Sequence, residues 1–264
     1  MRRMLYFAYG FFIQPVSMTI QQYQKKCSKE YKKSIKFPDE PTYLYGNPVN
    51  TVIPIETAIG KIMVIGPYPA AKLYFVNDIP DVPLYDSNAP FSIEPYFDGS
   101  RVRSSSTGLE LTDVILETLE ITRDQCWLTT LVKVFLFDDD HVKKYHRLGK
   151  EIKANRSKYM EYANKSLNWL RQEIEIANPY AIILLGAEVI SSLLLVTEKE
   201  AMGYMTGEVI EKKMIWKNSN FICLPPPGVI MDRSARNPWP RKFVMKIGPT
   251  AMKEIERLKS QPSI

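Results

Sequence analysis

Four short apolar runs, KIMVIG at 61–66, CWLTTLVKVFLF at 126–137, YAIILLG at 180–186 and NFICL at 220–224, are spaced along the chain with helix-patterned stretches between them. Runs that are apolar at every position suit strands covered on both faces. Strands alternating with helices predict a parallel sheet, here a three-layer α/β/α sandwich around four central, mostly parallel strands. Helices are expected over 17–34, 109–121, 158–178, 187–196 and 244–259. The proline-punctuated stretch FPDEPTYLYGNPVNTVIP divides the chain into a basic helix and connector at 1–50 and an α/β domain at 51–264. From Pro67 to Gly108 the sequence is dense in proline and aromatic residues and reads as one long irregular loop, a length at which loops usually carry function.

Composition excludes several classes of protein. The three cysteines, Cys27, Cys126 and Cys223, form no CxxC pair, which argues against a disulfide framework, a zinc site or an iron–sulfur cluster. His141 and His146 stand five apart, a spacing that does not share a helix face, so neither a metal nor another cofactor is expected. Asp138, Asp139 and Asp140 read as an exposed turn or a helix start. The amino end, MRRMLYFAYGFFI, is too short to span a membrane and is followed by no small-residue cleavage site. A cytoplasmic monomer with no membrane partner is the expectation.

Charge says more about partners. The net charge is +6, and its basic residues gather near the two ends: Arg2, Arg3, Lys25, Lys26, Lys29, Lys32, Lys33 and Lys36, then Arg233, Arg236, Arg241, Lys242, Lys246 and Lys253. Such clusters fit a polyanionic partner, although solvated helix faces produce them too.

The first strand ends in Gly66, Pro67, Tyr68, Pro69, Ala70, a loop without acid, base or thiol and with two residues that lack a backbone N–H. In open α/β sheets ligands bind beyond the carboxyl ends of the strands, so this loop is a candidate site. Together with later segments it resembles the uracil-DNA glycosylase superfamily. Members open on loops written GQDPY, GEAPG, GINPG or GLAPA, which GPYPA matches at Gly66, Pro69 and Ala70. A glycine turn into a helix follows, similar to SSSTGLEL here. A strand like TNVVKC is matched by TTLVKV, with Thr130 where an asparagine usually reads the base and Lys133 matching the lysine. The segment SLNWLRQEIEIANPYAIILLG is similar to CxPWLxxxLxxxxPKxIVxLG, and RNPWPRKF to RNPxxxKxW.

The resemblance implies a metal-free DNA glycosylase that hydrolyses the bond between a flipped-out base and its sugar. It also marks departures. Pro67 and Tyr68 fill the slots from which the family positions water, and Pro226 of LPPPG stands where a histidine normally contacts the base. The cluster-bearing branches carry cysteines at the positions of Val134 and Ser166. Three readings stay open: an acid from elsewhere, such as Asp78, Asp81, Asp86 or Asp98, replaces the missing one; the pocket takes a modified or non-uracil base; or the fold binds DNA without catalysis. The expected catalytic residues are Tyr68, Asp78 and Asp81, and the expected base pocket is Gly66, Pro67, Tyr68, Pro69, Phe97, Thr130 and Pro226, with Tyr96 as a second stacking candidate. For DNA contact the resemblance points to Val229, Ile230 and Met231 as an apolar wedge, and to Arg233, Arg236, Asn237, Arg241 and Lys242 beside the phosphates. A small-molecule or nucleotide-binding α/β enzyme is the alternative from another class, although neither GxGxxG nor GxxxxGK is present.

Overall fold

The computed structural model describes residues 18–38, 49–76, 79–85, 89–97, 100–104, 106–152, 154–212 and 219–261, with the backbone alone described at 72–76, 79–85, 96–97 and 211–212. The amino-terminal apolar run, Asp78, Asp86 and Asp98 lie outside the described residues.

A mixed sheet of five strands forms the centre. Strands β1 (Ile62–Gly66), β6 (Cys126–Thr130), β7 (Ala181–Leu185) and β9 (Ser219–Leu224) run parallel, and β8 (Val209–Lys212) adds an antiparallel edge beside β9, in the order β6-β1-β7-β9-β8. The sheet therefore has five strands rather than the four expected. The fifth is four residues of an edge ribbon, too short for its alternation to register against the charged sequence around it.

The central strands are mostly apolar because both faces are covered, with Thr129 and Thr130 buried at the end of β6 and Ser219 and Asn220 opening β9. Met63, Ile65, Trp127, Ile182, Leu184, Phe221 and Cys223 join one cluster, while Ile62, Val64, Leu128, Ile183, Ile222 and Leu224 join a second. Helices α1 (Ile20–Ser34), α4 (Tyr159–Ala177) and α5 (Ala187–Leu194) supply the first cluster. The second is filled from α2 (Ser106–Glu110), which continues as wider π-helical turns over Leu111–Leu116, and from α9 (Gly248–Lys259). This arrangement is compatible with a three-layer sandwich. The basic helix α1, opened by a reciprocal Thr19–Gln22 capping box, inserts Tyr23, Cys27 and Tyr31 into the first cluster.

The stretch after β1 is less irregular than its prolines suggest. It holds two antiparallel ribbons, β2 (Lys72–Val76) with β3 (Ile79–Tyr85) and β4 (Pro95–Phe97) with β5 (Val102–Ser104). A two-stranded ribbon has only edges, so Pro80, Pro83 and Pro95 sit in strands without breaking a central ladder. Conversely, the run at 126–137 is a strand only as far as Thr130. Beyond it the N–H groups of Leu131 and Val132 donate to the carbonyls of Gly66 and Pro67, and the chain continues as a buried irregular segment to Phe137.

Among the described residues no helix is long and apolar enough to cross a membrane.

Candidate active site

Strand β1 connects to β6 on one side and is flanked by β7 on the other, so the carboxyl ends of β1 and β7 form the crevice where the chain direction across the sheet reverses. Gly66 ends β1, and the ring of Phe91 lies directly on it: a Cβ added at Gly66 would be 2.6 Å from Phe91 Cζ. Phe91 takes a left-handed backbone (φ 50°), and its carbonyl accepts a 2.9 Å hydrogen bond from Arg123, which also pairs with Glu56 at 2.6 Å. The next carbonyls pack on Gly108 at the start of α2, where an added Cβ would be 2.6 Å from the Phe91 oxygen and nearer still to that of Ser92. Both glycines therefore allow Phe91 to lie over the strand end.

Thr130 is the register partner of Gly66 and is buried on the same sheet face as Leu128. Its hydroxyl makes no hydrogen bond among the described residues. A buried hydroxyl without a partner is costly, which marks the spot as one suited to a polar ligand. Phe91, which stands outside every motif singled out in the sequence, was not among the expected site residues. The expected aromatic, Phe97, lies in β4, where only its backbone is described, as with Tyr96 beside it and Asp81 in β3.

The opposite face of the crevice is polar. Tyr68 is half-buried, edge-on to Tyr159 with ring centroids 5.9 Å apart and beneath the Arg156 guanidinium at 5.2 Å. Burial raises its phenol pKa despite the nearby arginine. Tyr68 is thus held between two side chains rather than standing free as a platform. Helix α3 (Asp139–Arg147) begins at the Asp138 N-cap, which accepts from the His141 N–H at 2.9 Å, with His141 Nδ1 2.8 Å from the same carboxylate. The acid run is therefore a helix start. Burial pushes the Asp138 pKa up, but the hydrogen bonds and charge of His141, with Arg156, outweigh it and leave it lowered. Burial lowers that of His141, so the imidazole is neutral at pH 7. His146, farther along α3, is exposed.

Glu188 completes this face. It stands in the first turn of α5, directly after β7, and its carboxylate reaches back over Gly186, within 3.5 Å of where a Cβ would lie. The Pro226 ring is 3.6 Å from that same point. Gly186 follows directly on β7, and its N–H donates to the Leu224 carbonyl at the end of β9. Burial raises the Glu188 pKa, and neither its own backbone N–H nor Arg156 reverses the shift. Thus an acid occupies the space beside Pro226. The signal for it was the glycine-acid pair in LLGAEV, indistinguishable in sequence from an ordinary helix start.

Beyond Pro226, the short helix α7 (Pro227–Met231) is followed by a loop to α8 (Trp239–Lys242). Val229 and Met231 are 37% and 45% exposed, whereas Ile230 is 6% exposed and belongs to the second core cluster. The apolar tip is therefore Val229 and Met231, with Ile230 as its anchor. Asn237 fixes the loop: its amide donates to the carbonyls of Val229 at 2.6 Å and Asp232 at 2.8 Å, and its oxygen accepts from the Trp239 N–H. Arg233, Arg236, Arg241 and Lys242 are exposed around it. Lys242 also lies 5.4 Å from the Trp239 ring.

Concave surfaces away from the strand ends carry less chemistry. One, of about 210 Å³, lies at the amino ends of the strands between Lys61, Gln125, Tyr180 and α9. No protein-family model matches this chain, and no match was found among curated proteins.

Proposed function

We propose that the protein is a DNA glycosylase of the uracil-DNA glycosylase fold, hydrolysing the bond between a flipped-out, modified or non-uracil base and its deoxyribose. The observation that carries this reading is the set of groups at the carboxyl ends of the strands: an aromatic ring on Gly66 and a buried hydroxyl without a partner among the described residues at Thr130 on one face, and a half-buried acid beside Pro226 on the other.

The reaction needs three things. The base must be held out of the stack, and Phe91 offers a ring to stack on while Thr130 offers a hydroxyl to its edge. The cation-like sugar and the attacking water need a negative group, and the Glu188 carboxylate supplies it. The oxygen of water bonds to C1′ and keeps one proton as the new hydroxyl, the glycosidic electron pair leaves with the base nitrogen, and the other water proton passes to the carboxylate and then to that nitrogen. The duplex must also be held open, for which Val229 and Met231 form the wedge and the surrounding arginines meet phosphates. This division of labour uses neither Pro67 nor Pro226 as a donor, in keeping with their chemistry.

The test is incubation with DNAs containing uracil, deaminated purines, mismatched thymine and hypermodified cytosines, followed by alkali and a denaturing gel. Base release from one of them supports the reading. DNA binding without release from any favours a non-catalytic relative, and stabilisation by a nucleotide with indifference to DNA favours the small-molecule enzyme.

A further inference from the structure

Helix α1 carries a row of lysines that the site does not account for. One face of the helix is fully buried through Tyr23, Cys27 and Tyr31. On the opposite face Lys25, Lys29 and Lys33 are exposed at intervals of four, with Lys36 exposed just past the helix end, and Glu30 is the one acid within the helix. Four residues of helix advance about 6 Å, so the three lysines form a straight row of like charges. Neighbouring like charges at this spacing disfavour a helix. Lys33 near the carboxyl end is compensated by the helix dipole, but Lys25 and Lys29 are not.

The row has a direction. Tyr23 at one end of α1 reaches Glu173 near the end of α4, and Phe37 beyond the other end packs on Tyr162 at 5.7 Å, one turn from the Tyr159 that holds Tyr68. The lysines therefore climb the outer face of the molecule toward the strand ends. Beside them a polar groove of about 300 Å³ is lined by Ser28, Lys29, Lys32, Asn50 and Thr51. We propose that this row is a nucleic-acid rail, taking the phosphates of a DNA strand that runs to or from the site at the strand ends. The proposal rests on DNA being the partner. Charge complementarity selects the occupant: the apolar face of α1 is consumed by the core, so the helix has none left to bury in a lipid surface.

The variant K25Q/K29Q/K33Q tests it, since exposed side chains leave the fold intact, as a thermal melt will verify. DNA affinity of the full chain is measured against salt concentration. Each lost phosphate contact lowers the slope of log affinity against log salt by about 0.9 for duplex or 0.7 for single-stranded DNA, so the triple variant loses about 2 to 3, and K25R/K29R/K33R restores it. An unchanged slope overturns the rail, as does a wild-type protein that binds vesicles of anionic lipid through these lysines while ignoring DNA. A slope that falls in the variant, with a wild type that binds DNA yet releases no base, upholds the rail and removes the glycosylase reading instead.

Discussion

Two clusters of charged and aromatic side chains sit on the same side of the sheet, and they are built to opposite specifications. In the interior, Lys133 and Glu173 form an ion pair at 1% and 0% exposure. Glu173 accepts from Tyr23 at 2.5 Å and Trp127 at 3.0 Å, while Lys133 donates to Thr129 Oγ1 at 2.7 Å and to the Thr130 carbonyl at 3.2 Å. The network continues through Tyr31, whose hydroxyl accepts from the Lys133 N–H and donates to Ser166, which in turn donates to the Tyr162 carbonyl. At the strand ends, by contrast, Glu188 is half-buried with a raised pKa and no ion pair within 4 Å among the described residues. A fully paired network ties α1, β6 and α4 together; an acid without a paired cation keeps capacity for a ligand.

The largest effect that would break this contrast is on stability. Lys133→Met leaves Glu173 buried without its cation and is expected to cost about 3 to 5 kcal/mol in denaturant unfolding. A loss below about 1 kcal/mol would mean that the interior pair is not the strut described. Glu188→Gln should behave in reverse, leaving the melting temperature at pH 7 unchanged or higher while base release falls by about 10² to 10⁴-fold. The sign follows from the raised pKa. An acid held above its ordinary 4.5 contributes stability below that value and loses it as pH rises through the folded-state pKa, so the glutamine variant gains most at high pH. Activity that needs the carboxylate rises over the same interval, placing the acid limb of kcat/KM above pH 4.5.

Gly108→Ala comes next. Its Cβ meets the backbone oxygens of Phe91 and Ser92, which cannot swing aside as a side chain would, so about 1 to 3 kcal/mol of stability is lost and Phe91 leaves Gly66. A crystal structure with Phe91 in place would contradict this. The smallest effect concerns His141. Its pKa is lowered below 6.5, so its contribution to stability is lost as pH falls from 6.5 through the folded-state value. His141→Gln should flatten that part of the stability profile, as chemical denaturation at stepped pH will reveal.

The four parallel strands were legible because burial on both faces leaves an unmistakable apolar signature, as in AIILL. Strand β8 and the two ribbons were not, since edge pairing imposes no such pattern. The same physics divides the site. Gly66, Thr130 and Pro226 could be placed from strand ends and loop order. Phe91 and Glu188 reach the crevice only through tertiary contacts: a ring folded back by the Arg123 anchor, and an acid turned over Gly186. Lys133 was visible in TTLVKV, but its role as the hub of a buried network depends on Tyr31, about a hundred residues earlier.

The most direct measurement compares wild type and Glu188→Gln on the DNA panel, with alkali cleavage and binding read on the same samples. The account predicts strand breaks at one base for the wild type, and their loss in the variant with DNA affinity and melting preserved. Equal cleavage by both proteins, or none by the wild type on any substrate, would contradict it.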